Sequence, residues 1–438
     1  MTMPPATSEV LHALRRGDLA GTRELRLAGG LTEFPREILG LADSLERLDL
    51  SGNALTALPD DLGRLRRLRV LFCSGNRFER LPEVLGDCEA LSQIGCRGAG
   101  LREVPGAALP PRLRWLTLTD NRIAALPAAL GERPALQKLM LSGNRLHALP
   151  DSLAGADRLE LLRLSCNRFA ALPPWLSRLP RLAWLTYAGN PVEPAPADAA
   201  TAAIPWPDLA VAERLGEGAS GVVHRALWRG PGREARPVAV KLFKGAMTSD
   251  GLPEREMAAC LAAGPHPNLT GGLGRVAGHP GLGEALVMPL LPAEWRVLAG
   301  PPSLASCSRD VYDPDLRLSV RVARRLVRAA AAAAAHLHGR GFLHGDLYAH
   351  NLLWDGCDGA AVLSDFGAAC RLPEDAARAW LERIEVRALG VLLGEVLACL
   401  DDPAAGTGSL RALERACLRP EVGARPSMTE VLDALDAA

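Results

Sequence analysis

Leucines recur every 23 residues through the first half of this 438-residue chain, at Leu45, Leu68, Leu91, Leu113, Leu136, Leu159 and Leu182, with one 22-residue step after Leu91. Each opens a segment reading L-x-x-L-x-L-x-x-N-x-L-x-x-L-P, of which Leu45, Leu48, Leu50, Asn53, Leu55, Leu58 and Pro59 form a full example. A shortened copy spans Leu25, Leu27, Leu31 and Pro35. One such segment cannot bury its own apolar face, but a stack of about eight can, so the period constrains the fold to a repeat array. The first three leucines of each segment alternate as they would on a short strand with one face turned inward. Asn53, Asn76, Asn121, Asn144, Asn167 and Asn190 fall where the chain must turn sharply, and their amides can satisfy backbone groups the turn leaves buried. The fourth segment has Ala99 at that position, which predicts a locally weaker array. Ser8–Arg16 reads as an amphipathic helix capping the open end.

Outward-facing strand positions do not build the core, so their identity bears on partners. One column reads Asp49, Phe72, Gly95, Thr117, Met140, Arg163 and Thr186, and its neighbour Arg47, Val70, Gln93, Trp115, Lys138, Leu161 and Trp184. Exposed Phe, Trp, Met and Arg are enriched at protein-binding hot spots. A protein partner on this concave face is therefore expected, with Phe72, Trp115 and Trp184 as anchors.

The second half carries four motifs in order: Gly216-Glu217-Gly218-Ala-Ser-Gly221-Val-Val223, Val238-Ala-Val-Lys241, His344-Gly345-Asp346-Leu-Tyr-Ala-His-Asn351 and Asp365-Phe-Gly367. A lone G-x-G-x-x-G also marks dinucleotide folds, but here a strand rather than a helix follows. Composition sharpens the second motif. Of 50 basic residues only Lys138, Lys241 and Lys244 are lysines; the remaining 47 are arginines. A chain that supplies arginine wherever a generic cation will do has placed at 241 a compact ammonium, which a planar guanidinium does not replace. Asp346 is placed to accept a proton, and Asn351 and Asp365 offer hard oxygen ligands of the kind Mg²⁺ takes.

Fifty acidic residues balance the fifty basic ones, which gives no sign of nucleic acid or an anionic membrane as partner. The ten cysteines are scattered without a C-x-x-C pair, favouring reduced thiols in a cytoplasm over disulfides or a zinc site. No secretory leader and no membrane-spanning run of about 20 apolar residues is read. Abundant Ala, Arg, Gly and Pro with almost no Lys suggests a high-GC, bacterial genome. Pro191–Pro207 is rich in Pro and Ala without periodicity and reads as a semi-rigid linker.

The first-half pattern resembles the leucine-rich repeat, in its small intracellular subtype ending Leu-Pro. The second-half motifs resemble the protein kinase catalytic core. Together they imply an α/β leucine-rich-repeat solenoid followed by an α+β two-lobed protein-kinase-like domain. The expected boundaries are a cap over residues 1–19, repeats over 20–193, a linker over 194–207 and the kinase domain over 208–438. The resemblance implies ATP and Mg²⁺ as cofactors, with catalytic Asp346, Lys241 and Glu256 (Glu254 being the alternative partner of Lys241). It implies nucleotide contacts from Gly216, Glu217, Gly218, Gly221, Val223, Lys241, Met288 and Leu291, and metal contacts from Asn351 and Asp365. Met288 stands as gatekeeper, and Arg425 as the structural arginine of the closing motif.

Five departures stand out. Gly345 replaces the arginine of HRD. Tyr348 stands where Ser/Thr kinases carry a lysine that steadies the transferring phosphate, and His350 where one group of tyrosine kinases carries arginine. Glu385 replaces the usual Asp before Val386-Arg-Ala-Leu-Gly390. The stretch from Asp365 to Glu385 is far shorter than a usual activation segment, and no Ser, Thr or Tyr lies between Phe366 and Ile384. The resemblance is thus to bacterial-type cytoplasmic leucine-rich-repeat protein kinases with an atypical short activation segment. An ATP-dependent kinase of Ser/Thr rather than Tyr specificity is expected, acting on a protein substrate. A nucleotide-binding pseudokinase scaffold and a small-molecule kinase are the alternatives.

Overall fold

The computed structural model describes residues 7–194, 202–218, 220–230, 234–245, 247–248, 250–281, 283–402 and 406–437. The first six residues of the expected cap and residues 195–201 of the expected linker lie outside these. The chain divides into two compact units: residues 1–162 with 167–179, and residues 163–166 with 180–438.

Eight three-residue strands, from Glu24–Arg26 to Trp184–Thr186, pair in parallel and in chain order. Their central leucines Leu48, Leu116 and Leu139 are fully buried, as are Leu50, Leu118 and Leu141 two residues on, so the sequence periodicity fixes which face turns inward. Short 3₁₀ turns such as Pro174–Arg178 complete each coil. The asparagines do what their positions implied. Asn76 donates from Nδ2 to the carbonyls of Leu50 and Cys73, both at 2.9 Å, and accepts from the Leu55 N–H at 3.0 Å. Asn144 repeats the pattern with Leu118, Leu141 and Ile123. At Ala99 this rung is missing, and only its N–H joins the ladder, donating to Asn121 Oδ1 at 3.1 Å. The helix Thr7–Arg16 buries Leu14, in line with the expected amphipathic cap.

In the second unit, six strands lie in the spatial order Leu209–Glu217, Gly221–Trp228, Arg236–Phe243, Ala285–Pro289, Gly274–Ala277, Ala203–Pro205. Period-two alternation along Arg236–Phe243 sends Val238 and Val240 into a core with Ile204, Leu209, Ala226, Val276, Ala285 and Val287. It thereby turns Ala239 and Lys241 to the opposite face. The helix Pro253–Ala263 reaches the central strand Arg236–Phe243 through Glu256 and Lys241, and the other long helices of this unit are Val320–Gly339, Ala377–Ala398, Gly408–Cys417 and Met428–Ala437. Ser319 caps the first of these through its hydroxyl, which accepts from the Val322 N–H. Five of its seven consecutive alanines are buried, consistent with a helix that other elements approach closely. The helix Ala377–Ala398 starts only ten residues after Gly367, so the segment following Asp-Phe-Gly is even shorter than the sequence suggested.

Candidate active site

The hairpin of Leu209–Glu217 and Gly221–Trp228 closes through Gly218 and Gly221, the Gly218 N–H donating to the Gly221 carbonyl at 2.9 Å. The three glycines have different reasons to be glycine. A Cβ on Gly221 would sit 2.5 Å from the Leu242 carbonyl oxygen, so the neighbouring strand demands it. Cβ atoms on Gly216 and Gly218 would meet nothing within 4 Å. These two border open space rather than protein, which is what close backbone approach to a ligand requires.

Beneath the hairpin lies a cavity of about 460 Å³ lined by Leu215, Val223, Ala239, Lys241, Met288, Leu291, Asp365 and Phe366 among others. A smaller one of about 150 Å³, sharing Val223, Lys241, Glu256 and Asp365, is lined also by Gly218, Gly221 and Asp250. The apolar half carries Val223 and Met288, the latter paired with Ala239 across the sheet. The polar half carries Lys241, whose Nζ forms a short ion pair with Glu256 Oε1. The alternative, Glu254, is exposed on the same helix. Burial raises the Glu256 carboxyl above its usual range, an effect that Lys241 opposes and Asp365 reinforces. Glu217 lies at the rim, accepting from Lys244 Nζ at 2.7 Å.

The loop of residues 344–351, the candidate catalytic loop, is held from several sides. Asn351 Nδ2 donates to the Asp346 carbonyl at 2.9 Å and to its Oδ2 at 2.8 Å, leaving the amide oxygen for another partner. The antiparallel hairpin of Leu352–Trp354 and Ala361–Leu363 brings Asp365 next to this loop. Asp365 has a left-handed φ of 63° and accepts from the Gly367 N–H at 3.0 Å. Glu385 Oε1 accepts from the Gly345 N–H at 2.7 Å while Oε2 pairs with His338 at 2.8 Å, so the glutamate reaches the loop's backbone. Burial opposes ionisation of Glu385, but His338 and the Gly345 N–H hold its carboxyl below the usual value. Gly345 itself has φ +74°, and a Cβ there would lie 2.5 Å from the Ala368 carbonyl and 3.1 Å from that of Leu185. No arginine can stand at this position in this fold.

Several outward-facing strand positions differ from the sequence-based expectation. Trp184 and Arg163, read as exposed partner contacts, are 1% and 2% exposed. The strand register is as expected; the two side chains are covered by the catalytic loop of their own unit. Trp184 stacks on Tyr348 with ring centroids 4.2 Å apart, and its Nε1 donates to the Leu347 carbonyl at 3.0 Å. Arg163 donates to the Gly345 carbonyl at 2.7 Å, pairs with Asp346 Oδ1, and lies 2.7 Å from Asp250 Oδ1. Thr186, Met140, Leu161, Lys138, Gln93 and Val70 are also buried, leaving Arg47, Asp49, Phe72, Trp115 and Thr117 half-exposed along the two columns. Arg425, the structural arginine of the closing motif, is held by the carbonyls of Arg419, Arg383 and Pro180, and burial lowers its pKa to about 9.

Two further residues have no motif to announce them. Asp310 accepts from the His350 backbone N–H at 3.0 Å and pairs with its ring Nδ1 at 2.7 Å. Burial would lower the His350 pKa, but Asp310 and Asp346 raise it above the usual imidazole value. Arg163 had a signal only in hindsight, as the one long cation in its column.

Family models match this architecture. Residues 209–387 match the protein tyrosine and serine/threonine kinase model; residues 44–65 and 111–192 match leucine-rich-repeat models. A solved leucine-rich-repeat protein of Leptospira interrogans is similar at 24% identity and TM-score 0.37, over 43% of this chain and 54% of that one. This chain therefore spans about half the length of that structure. The chain carries leucine-rich repeats N-terminal to a protein tyrosine/serine-threonine kinase domain, the makeup of a leucine-rich-repeat protein kinase. Among the described residues no helix is long and apolar enough to cross a membrane.

Proposed function

We propose that the second unit is an ATP- and Mg²⁺-dependent protein kinase acting on Ser or Thr hydroxyls, with the repeats as a protein-recognition module. The observation that carries this reading is the Lys241–Glu256 ion pair facing Asp365 across one cavity, with Asn351 orienting Asp346 nearby. Val223, Ala239 and Met288 suit the flat apolar face of a base, and Leu291 and Pro289 offer backbone groups beside it. Open space at Gly216 and Gly218 suits a polyphosphate that approaches the backbone closely. Asp365 and the free oxygen of Asn351 are hard donors that fit Mg²⁺. ATP with its metal supplies the transferable phosphoryl group when bound. Lys241 then neutralises phosphate charge, and Glu256 fixes the ammonium in place. Asp346 takes the proton of the acceptor hydroxyl as the new oxygen–phosphorus bond forms and the bond to the departing diphosphate breaks.

The test is transfer of label from γ-labelled ATP to proteins of a cell lysate, comparing the intact chain with Asp346→Ala. Labelling that depends on Asp346 and appears on serine or threonine supports the reading. Equal labelling by both proteins contradicts it, and labelling confined to tyrosine contradicts the specificity.

A further inference from the structure

Arg163 belongs to none of the roles above, yet its guanidinium is buried against Asp346. Its three nitrogens each face an oxygen: Asp250 Oδ1, the Gly345 carbonyl and Asp346 Oδ1. Asp346 Oδ2 is already taken by Asn351, so both carboxylate oxygens are capped. We propose that Arg163, with Trp184 and Tyr187, holds the kinase closed to acceptors by occupying the surface on which a substrate hydroxyl has to arrive. The inference rests on the kinase reading.

Three observations favour a block over a catalytic cation. Arg163 lines neither part of the nucleotide cavity, so its guanidinium does not face the space assigned to phosphate. Asp346 lines neither part as well, and its side chain is only 17% exposed. The surroundings are covered by the same stretch of chain. Trp184 lies flat on Tyr348, the Tyr187 hydroxyl donates to the Arg371 carbonyl at 2.8 Å, and Glu193 Oε1 accepts from the Arg371 N–H at 3.1 Å. Residues 184–193 therefore sit on the catalytic loop and on the short segment after Gly367, where a peptide acceptor would dock. The nucleotide side stays assembled while the acceptor side is shut.

The experiment uses the full chain with Mg²⁺-ATP, a degenerate peptide mixture containing Ser, Thr and Tyr, and water as a second acceptor. Arg163→Ala removes the block. Arg163→Gln keeps a donor for the Gly345 carbonyl and is the gentler variant should alanine fail to fold. Asp250→Asn keeps Arg163 but weakens its anchorage. Circular dichroism checks the fold of each, and calorimetry measures nucleotide affinity. Nucleotide affinity should stay within about twofold in both Arg163 variants. Transfer should rise at least tenfold with either of them, rise less with Asp250→Asn, and vanish when Asp346→Asn is added to Arg163→Gln. Unchanged nucleotide binding with an equal or slower rate in the Arg163 variants overturns the block while leaving the kinase reading intact. Nucleotide binding without transfer in any variant overturns both.

Discussion

The asparagine ladder of the repeats and the carboxylates of the catalytic unit are both buried polar systems, but they are satisfied in different ways. The ladder asparagines bond carbonyls 3 and 26 residues back (25 for Asn121, after the one shorter step), and the arrangement recurs from coil to coil. The carboxylates of the kinase unit use partners that occur once: Glu256 with Lys241, Glu385 with His338 and Gly345, Asp346 with Arg163 and Asn351. A repeated bond tolerates one gap, as at Ala99, because neighbouring coils carry the stack. A unique bond has no neighbour to take over. Stability is therefore spread along the first system and chemistry is concentrated in the second.

The largest effect should fall on the unique bonds. Lys241→Ala is expected to lower phosphoryl transfer on the order of 10³-fold, about 4 kcal/mol of barrier, while the circular dichroism spectrum stays that of the folded chain. Lys241→Arg should fail nearly as badly, because the fork of a guanidinium cannot reproduce the ammonium's position. Full activity in the arginine variant would remove the argument from lysine scarcity. In the ladder the expected loss is one of stability. Asn144→Ala strips partners from three buried backbone groups and should cost on the order of 2–4 kcal/mol in denaturant unfolding, without altering the transfer rate of the folded protein. A rate that falls in step with stability would break the contrast.

How much of this was legible in the sequence follows the same division. A period of 23 residues announces its own structure, so the strands, their inward leucines and the asparagine turns could be placed from spacing alone. The four kinase motifs placed Lys241, Asp346, Asn351 and Asp365, because each sits in a local pattern. Asp310 and Arg163 could not be found that way. Their partners lie 40 and 183 residues away, and nothing local marks a residue chosen for a single distant contact. Trp184 misled for a related reason: its strand position faces out of the repeat core, and only the packing of Tyr348 and Leu347 upon it makes it interior.

A smaller effect concerns pH. Glu385 is depressed in the fold below its reference value of 4.5, so the stability it contributes is present above that pH and is lost as pH falls through the lower folded value. Thermal melts between pH 6 and 3 should show the second unit weakening over this acid range, and Glu385→Gln should flatten that slope. An unchanged slope would show that the pair with His338 adds no pH-linked stability. The smallest effect should come from phosphatase treatment. With no Ser, Thr or Tyr between Phe366 and Ile384 and no arginine at Gly345 to receive a phosphate, the transfer rate should change less than twofold.

The most direct measurement is a calorimetric titration of ATP into the intact chain, with Mg²⁺ and then with chelator. One nucleotide should bind per chain. Lys241→Ala should weaken binding at least tenfold under both conditions, whereas Asp365→Asn should weaken it in Mg²⁺ and leave it unchanged in chelator. Absence of binding, or affinities indifferent to both substitutions, would contradict the assignment of this cavity to a metal-carried nucleotide.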